Sequence, residues 1–182
     1  MRMRKYAPIL ILALSAGCGG CGYNRIVQEE QQVEAAWSQV ENQLQRRADL
    51  IPNLVEVVKG YARHEKGVFD DIANARAAML GASSRADKIQ SANQFEGAIS
   101  KLMMLTENYP QLKADANFRD LSAKLVQVED ALQYARRFYN GAVKQYVTRI
   151  ESFPDNLMAK AFRFQPMPFF ETTERAPVKV TL

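Results

Sequence analysis

The strongest constraint on the fold is an apolar repeat that continues without a break through the last third of the chain. Its positions alternate spacings of three and four residues: Phe118, Leu121, Leu125, Val128, Leu132, Ala135, Tyr139, Ala142, Tyr146 and then Arg149 or Ile150. Such a sustained heptad pattern predicts a long helix that packs on its neighbours with left-handed coiled-coil geometry. Asn117, with Asp120 in the first turn, is the expected N-cap of this helix.

Three more helices are predicted before that repeat. The first carries one apolar stripe, formed by Val33, Trp37, Val40, Leu44, Ile51, Leu54, Val58 and Tyr61. Pro52 lies inside it, lacks a backbone N–H and crowds the preceding turn, so a kink is expected there. A second helix is expected over residues 68–80 and a third from about Asp87 to Tyr109. The predicted fold is therefore all-α: an elongated antiparallel four-helix bundle with coiled-coil-like packing and a long, kinked first helix.

The N-terminus has the pattern of a bacterial export signal. A cationic start is followed by an apolar run over residues 9–14 and by the lipobox-like sequence Leu14-Ser15-Ala16-Gly17-Cys18. That run is well short of the roughly 20 residues that a membrane-spanning helix needs. We expect the Cys18 thiol to carry a diacylglycerol and its amino group an acyl chain, with Cys21 as the alternative site. An uncleaved, short membrane anchor is the other interpretation.

The sequence predicts four segments. Residues 1–17 are the lipoprotein signal peptide, 18–26 a lipid-anchored linker, 27–150 the helical bundle and 151–182 an aromatic and proline-rich tail packed on the bundle. The tail contains five of the nine phenylalanines, namely Phe153, Phe162, Phe164, Phe169 and Phe170. Because so many aromatic side chains require burial, either the tail folds back on the bundle or it makes an intermolecular or membrane-surface contact.

Composition excludes several classes of function. Without residues 1–17 the chain has 21 Lys and Arg against 20 Asp and Glu, and no basic block, which argues against nucleic-acid binding. Both cysteines lie in the anchor segment, so we expect neither a disulfide nor a thiolate metal site in the folded part. His64 is the only histidine, too few for a di-iron bundle site, and it occupies an expected interhelical joint. Apart from the lipid on Cys18, no cofactor and no metal are predicted.

Two acidic pairs are the remaining candidates for catalysis. Asp70-Asp71 and Glu129-Asp130 could serve a carboxylate-dependent hydrolase acting on the cell wall. Neighbouring residues on a helix point about 100 degrees apart, and a narrow bundle offers no evident cleft for a glycan. We therefore interpret both pairs as solvated helix faces, and no catalytic residue is assigned.

A polar cluster on the first helix is the main candidate surface for a partner. It comprises Arg46, Arg47, Asp49, Pro52 and Asn53. In the structural interpretation Asp49 pairs with an arginine of a neighbouring helix, while Pro52 and Asn53 satisfy the carbonyls freed by the kink. In the functional interpretation the kink exposes backbone and guanidinium groups to a partner. The candidate surface is completed by four further sites elsewhere, Arg136-Arg137, Phe164, Phe169 and Phe170.

Several motifs resemble those of the LemA family. They are Gly22-Tyr23-Asn24, residues 36–43, the run Arg46-Arg47-Ala48-Asp49-Leu50-Ile51-Pro52-Asn53-Leu54, residues 135–140 and Phe153-Pro154-Asp155-Asn156-Leu157. The resemblance implies a four-helix antiparallel bundle held at a bacterial membrane by its N-terminus, and it implies no enzyme. Family members often occur beside heat-shock-type membrane proteases or TPM-domain proteins, which makes these candidate partners. Many members have one cysteine directly before Gly-Tyr-Asn, which corresponds to Cys21.

The sequence therefore predicts a lipid-anchored, non-enzymatic envelope protein that acts as a scaffold or adaptor. A carboxylate-dependent envelope hydrolase and a purely structural, self-associating bundle are the alternatives. Its expected partners are the membrane, through the anchor, other envelope proteins and further copies of itself. We expect it to face the periplasm or the exterior. In a host with two membranes the outer one is favoured, because Gly19 and not Asp follows Cys18.

Overall fold

A computed structural model describes the backbone of residues 7–171 and the side chains of residues 22–171. Within this part the chain forms six α-helices and no strand: α1 Ala7–Tyr61, α2 Lys66–Gly81, α3 Arg85–Thr106, α4 Pro110–Ala114, α5 Ala116–Glu151 and α6 Asp155–Phe162. The predicted all-α class is confirmed, and the four longer helices are consistent with a four-helix bundle. Residues 1–6 and 172–182 and the side chains of Cys18 and Cys21 lie outside the described part, so the signal peptide and the acylation site stay predictions.

The start of α5 differs from the prediction. Asp115 Oδ1 accepts a hydrogen bond from the Phe118 backbone N–H at 3.0 Å, so Asp115 and not Asn117 caps the helix. The reason is that α5 begins at Ala116, so Asn117 already lies in its first turn and Asp115 is the residue whose side chain reaches the N–H three residues onward. The Phe118 N–H and the Tyr61 hydroxyl, which donates to the same carboxylate, lower the pKa of Asp115.

Two other boundaries were also placed wrongly from the sequence. Helix α3 ends at Thr106 rather than Tyr109, and a short helix that was not expected, α4, follows with Pro110 in its first turn. Helix α3 begins at Arg85 rather than at about Asp87, because Ser84 caps it: Ser84 Oγ accepts from the Asp87 N–H at 3.0 Å. Helix α1 continues through Pro52 as one helix.

The chain divides into two compact units. The first contains Met1–Ser38 and Arg137–Phe169. Its core is aromatic, with the rings of Trp37 on α1 and Tyr139 on α5 centred 5.2 Å apart. The Tyr139 hydroxyl donates to the Pro168 carbonyl at 2.6 Å, and the Tyr146 hydroxyl donates to the Gln165 carbonyl at 3.0 Å. These bonds hold the non-helical segment after α6 on α5, because its carbonyls have no helical donors.

The second unit contains Gln39–Arg136 and Phe170–Leu182. Its core is mostly aliphatic with a few phenylalanines, and Leu132 of α5 and Phe95 of α3 are fully buried in it. The other large buried side chains come from every helix of the unit: Leu44, Ile51, Leu54, Val58, Phe69, Ile72, Met79, Leu102, Leu112, Leu125 and Val128. The α5 members are positions of the predicted heptad, so that repeat identified the packed face of the helix correctly.

Candidate functional site

Two buried arginines and two partly exposed glutamates form a charged cluster in the second unit. Arg47 on α1 and Arg136 on α5 are only 4% and 6% exposed. Arg47 Nη2 lies 3.0 Å from Glu129 Oε2, and Arg136 Nη2 donates to Glu96 Oε2 at 2.9 Å. Arg47 Nη1 is 3.6 Å from the same Glu96 oxygen, so Glu96 joins both arginines. The two positive and two negative charges cancel, which allows the arginines to remain buried.

The environment of Arg47 shows how these charges compensate. Burial lowers the pKa of Arg47, whereas Glu129 and Glu96 act in the opposite direction and Arg136 adds to the lowering. Arginine still carries its proton at neutral pH. The cluster therefore joins α1, α3 and α5 inside the unit, and the side chains of Arg47 and Arg136 do not belong to an exposed surface.

Phe170 extends the same cluster. Its side chain is 3% exposed, and the guanidinium carbon of Arg136 lies 4.4 Å from the centre of its ring. Asn93 Nδ2 donates to the backbone carbonyl of the next residue, Glu171, at 2.8 Å. Phe170 thus packs within the second unit as a cation–π partner of Arg136. Of the other candidate aromatic residues, Phe169 is 41% exposed and Phe164 is half-buried.

The chain around Pro52 is tied to α2 by one arginine. Pro52 has no N–H to donate to the carbonyl of Ala48, four residues earlier, and Arg76 Nε of α2 donates to that carbonyl at 2.7 Å. Arg76 Nη2 also lies 3.8 Å from Asp49 Oδ1. The predicted pairing of Asp49 with an arginine of a neighbouring helix is therefore present. The prediction that Asn53 helps to satisfy the freed carbonyl was wrong. Asn53 is exposed, and the Arg76 guanidinium supplies the N–H.

A groove runs beside Pro52 between α1 and α2. Its volume is about 250 Å³, and it is lined by Ile51, Pro52, Val55, Glu56, Lys59, Phe69, Ile72, Ala73 and Arg76. The floor is apolar. At the rim, Lys59 Nζ lies 2.9 Å from the Glu56 carboxylate and 5.7 Å from the centre of the Phe69 ring. We call this feature the Pro52 groove.

The residues of the predicted polar cluster on α1 lie in different environments. Pro52 lines the groove and Arg47 is buried, whereas Arg46 and Asn53 are exposed on a different side of the helix. At 100 degrees per residue, Arg46 lies about 140 degrees around α1 from Lys59. The structure thus does not assemble these residues into one surface. Arg137 on α5 is exposed as well.

In the first unit, Gly22 and Tyr23 contact α6 and the segment that follows it. The Tyr23 ring is centred 4.8 Å from that of Phe162 and 5.8 Å from that of Phe164. A Cβ atom at Gly22 would lie 2.8 Å from Asp155 Oδ1, so a larger residue there would have to displace the Asp155 carboxylate.

Arg149 holds this region together from α5. It donates to Glu29 at 2.6 Å through Nε and to Asp155 at 3.0 Å through Nη1. These two hydrogen bonds raise the pKa of Arg149, the bond to Glu29 contributing most.

Three exposed residues of this region were missing from the predicted surface. Phe153 is 80% exposed, Leu157 59% and Phe162 57%. Two of them, Phe153 and Leu157, belong to the motif Phe153-Pro154-Asp155-Asn156-Leu157, which places two large apolar residues four apart around a proline. The density of phenylalanine in the tail was evident from the sequence, but not which of them would stay exposed.

The candidate catalytic carboxylates do not converge on a cleft. Asp71 accepts from Lys101 Nζ at 2.9 Å, and Glu129 belongs to the charged cluster. Asp70, Asp130 and His64 are exposed. In the described part of the chain, no group of three His, Cys, Asp or Glu residues is arranged to hold a metal ion. Across that same part, none of the helices has the length and apolar character that crossing a membrane requires.

Comparison with known proteins gives relatives over most of the chain. The family model described as LemA family matches residues 36–182. Magnetosome protein MamQ 2 of Paramagnetospirillum magneticum is 24% identical over 175 residues, covering 82% of this chain and 64% of that protein. Magnetosome protein MamQ of Magnetospirillum gryphiswaldense is 22% identical over 174 residues, 81% of this chain and 64% of that protein. The chain thus spans just under two thirds of the length of these magnetosome relatives.

Another relative matches over nearly the whole length of this chain. Protein LemA of Metamycoplasma hominis is 21% identical over 183 residues, which cover 98% of this chain and 84% of that protein.

Proposed function

The chain belongs to the LemA family, and on that premise we propose that it is a lipid-anchored, non-enzymatic scaffold for other proteins of the bacterial envelope. The resemblance seen in the sequence is thereby confirmed. Family membership and the likeness to magnetosome proteins indicate a membrane-associated envelope protein. The lipid anchor on Cys18 and the scaffold role go further and form the proposal. Heat-shock-type membrane proteases and TPM-domain proteins are the candidate partners that the family suggests.

The Pro52 groove is the observation that supports the scaffold role most. At about 250 Å³ it is smaller than the roughly 300–1,000 Å³ of drug-sized ligand sites and suits one or two apolar side chains. Anchor side chains of that kind supply most of the affinity at many protein interfaces. Arg76 fixes α2 to α1 at the edge of the groove through Ala48. A partner therefore meets a preformed groove, which lowers the entropic cost of binding.

The charged rim gives the groove a means of selecting its partner. Lys59 and Glu56 pair with each other along the α1 side of the opening, and Arg76 of α2 is partly exposed beside it. Such exposed charges contribute little affinity, but they reject partners of the wrong charge pattern. The proposed partner therefore presents an apolar anchor flanked by both a basic and an acidic side chain.

Photocrosslinking in intact cells tests the scaffold role. A photoreactive amino acid replaces Lys59 at the rim of the groove in one variant and Arg46 in a matched control, both on exposed positions of α1. We expect the Lys59 variant to give a discrete adduct with an envelope protein that the Arg46 variant lacks. Identical, diffuse adducts from both positions would contradict the proposal.

The same adducts distinguish scaffolding from self-association. If the Lys59 adduct has twice the mass of the chain and contains only its peptides, the purely structural, self-associating alternative is correct. Light scattering of the protein would then reveal an oligomer whose size depends on concentration.

Substitution of the candidate catalytic carboxylates distinguishes the hydrolase alternative from the scaffold role. Asp70, Asp71 and Asp130 are changed to Ala, which leaves neither acidic pair complete, while Glu129 is kept because it neutralises the buried Arg47. The proposal predicts that the variant and the wild type behave alike on peptidoglycan. Peptidoglycan cleavage by the wild type that the variant lacks would favour the hydrolase.

A further inference from the structure

Large apolar side chains are exposed where α5 turns into α6 in the first unit. Phe153, Leu157 and Phe162 are 80%, 59% and 57% exposed, respectively. We call these three residues the α5–α6 corner. Single exposed apolar residues are normal, and it is the occurrence of three large ones within ten positions that makes this part of the first unit a candidate interaction site.

The corner is fixed beside the residues that follow the anchor. The Tyr23 ring contacts that of Phe162 at 4.8 Å, and Gly22 approaches Asp155 so closely that a Cβ atom would lie 2.8 Å from its Oδ1. Arg149 holds Asp155 at 3.0 Å and Glu29 of α1 at 2.6 Å. The corner and the N-terminal segment of the first unit therefore move together.

Only a short stretch of chain separates Gly22, which packs on the corner, from each possible point of attachment to the membrane. Cys18 precedes Gly22 by four residues, a span of at most about 14 Å for an extended chain. Cys21 is directly adjacent. If the anchor is uncleaved, the apolar run at residues 9–14 is the attachment. It ends eight residues before Gly22, a distance of about 12 Å along a helix and about 28 Å in an extended chain.

We propose that the α5–α6 corner contacts the membrane surface, with Phe153, Leu157 and Phe162 inserted among the lipid headgroups. The inference rests on the proposed attachment at the N-terminus. A bilayer is the partner that attachment brings within reach, and aromatic and aliphatic side chains at such a position enter the interface by about 5–10 Å.

The contact is apolar rather than electrostatic. The two segments that contact each other here, residues 22–30 and 149–163, contain four basic and four acidic residues: Arg25, Arg149, Lys160 and Arg163 against Glu29, Glu30, Glu151 and Asp155. The contact therefore forms on zwitterionic lipid and is insensitive to salt. Lys160 and Arg163 are both exposed, and their long side chains can keep their charges in water while the aromatic rings insert.

Tryptophan quenching in vesicles tests the contact with the full chain. Phe153→Trp and, separately, Leu157→Trp are reconstituted into phosphatidylcholine vesicles with or without bromine on the acyl chains near the headgroup. Bromine quenches indole fluorescence on contact. The native Trp37 is 6% exposed and packs on Tyr139, so it supplies a constant background. We expect a several-fold loss of the added fluorescence for both variants, unchanged at high salt.

Phe138→Trp is the matched control. Phe138 is 58% exposed and also lies on α5, but about 20 Å along the helix from its end. We expect no quenching of the added tryptophan there. Equal quenching at Phe138 and Phe153, or none at Phe153 and Leu157, would overturn the proposed contact.

Flotation of the same vesicles tests the lipid attachment separately from the corner contact. Protein that floats with the lipid without quenching at Phe153 overturns the corner contact and leaves the attachment intact. Protein that does not float overturns both.

Discussion

Arg76 Nε donates a hydrogen bond of 2.7 Å to the carbonyl of Ala48, the one backbone acceptor that Pro52 leaves without its helical donor. A helix that keeps a proline in its interior normally loses this bond and about 3 kcal/mol of stability. Here a side chain from α2, 28 residues away in sequence, restores the bond and joins the two helices beside the Pro52 groove.

The first prediction concerns this bond. Because Ala48 is fully buried, Arg76→Met leaves its carbonyl unsatisfied and should lower the free energy of unfolding by about 1–3 kcal/mol. Urea unfolding followed by circular dichroism measures the loss. In a Pro52→Ala background the alanine N–H replaces the donor, so the loss should shrink by about 1 kcal/mol or more. Equal losses in both backgrounds would show that Arg76 does not replace the missing proline donor. Arg46→Met is the control at an exposed position of α1 and should change stability by less than about 0.5 kcal/mol.

The second prediction concerns the charged cluster. Glu96→Gln removes the carboxylate that joins Arg47 and Arg136, leaving an excess of buried positive charge, and should cost about 3–5 kcal/mol. Combining it with Arg136→Met should cost clearly less than the sum of the two single changes, because the unpaired charge is then removed as well. Thermal and urea unfolding measure the three variants. Strict additivity would show that these residues do not interact.

The third prediction is a loss of stability at alkaline pH. Burial raises the pKa of Tyr146 to about 12, with Glu30 adding to the effect, from about 10 in the unfolded chain. The folded protein therefore keeps the tyrosine proton at pH values where the unfolded chain releases it. The resulting stability is fully present below pH 10 and is lost between pH 10 and 12, by about 2–3 kcal/mol.

Tyr146→Phe is the variant that isolates this effect. At pH 7 it should be about 1 kcal/mol less stable than the wild type, because the hydrogen bond to the Gln165 carbonyl is lost. At pH 12 the difference should vanish or reverse, since phenylalanine does not ionise. Parallel stability curves from pH 9 to 12 would show that Tyr146 does not titrate as described.

The fourth prediction concerns the glycine next to the anchor. Gly22→Ala places a methyl group against Asp155 Oδ1 and should displace that carboxylate from Arg149, lowering stability by about 1 kcal/mol. With Asp155→Ser also present, the alanine should be neutral or stabilising, because the obstructing oxygen is gone and alanine is the better helix former. Gly97→Ala, at a helical glycine with open space around it, is the control and should not destabilise.

Much of the fold followed from the sequence because its strongest signals are local. The heptad of α5 predicted the buried face that contains Leu125, Val128 and Leu132, and the spacing of three and four is set by helix geometry alone. The loss of a donor at Ala48 was equally predictable from Pro52. The identity of the replacement, Arg76, was not, since it depends on how α2 packs on α1.

The candidate surface was predicted less well because exposure depends on contacts between distant segments. Arg47 and Arg136 have the sequence signature of surface residues, and it is the presence of Glu96 beside both and of Glu129 beside Arg47 that allows them to be buried. In the tail, Phe170 is buried by packing on Arg136, whereas the neighbouring segment leaves Phe153 exposed. Nothing in the local sequence distinguishes these two phenylalanines.

Mass spectrometry of the N-terminal peptide, isolated from membranes of the native host, tests the central claim most directly. The scaffold role and the membrane contact of the α5–α6 corner both depend on attachment at the N-terminus. We predict a peptide that begins at Cys18 and carries a diacylglycerol and an N-linked acyl chain. A mature chain that begins after Cys21, or one that retains Cys18 and Cys21 without any acyl group, would contradict the lipid anchor.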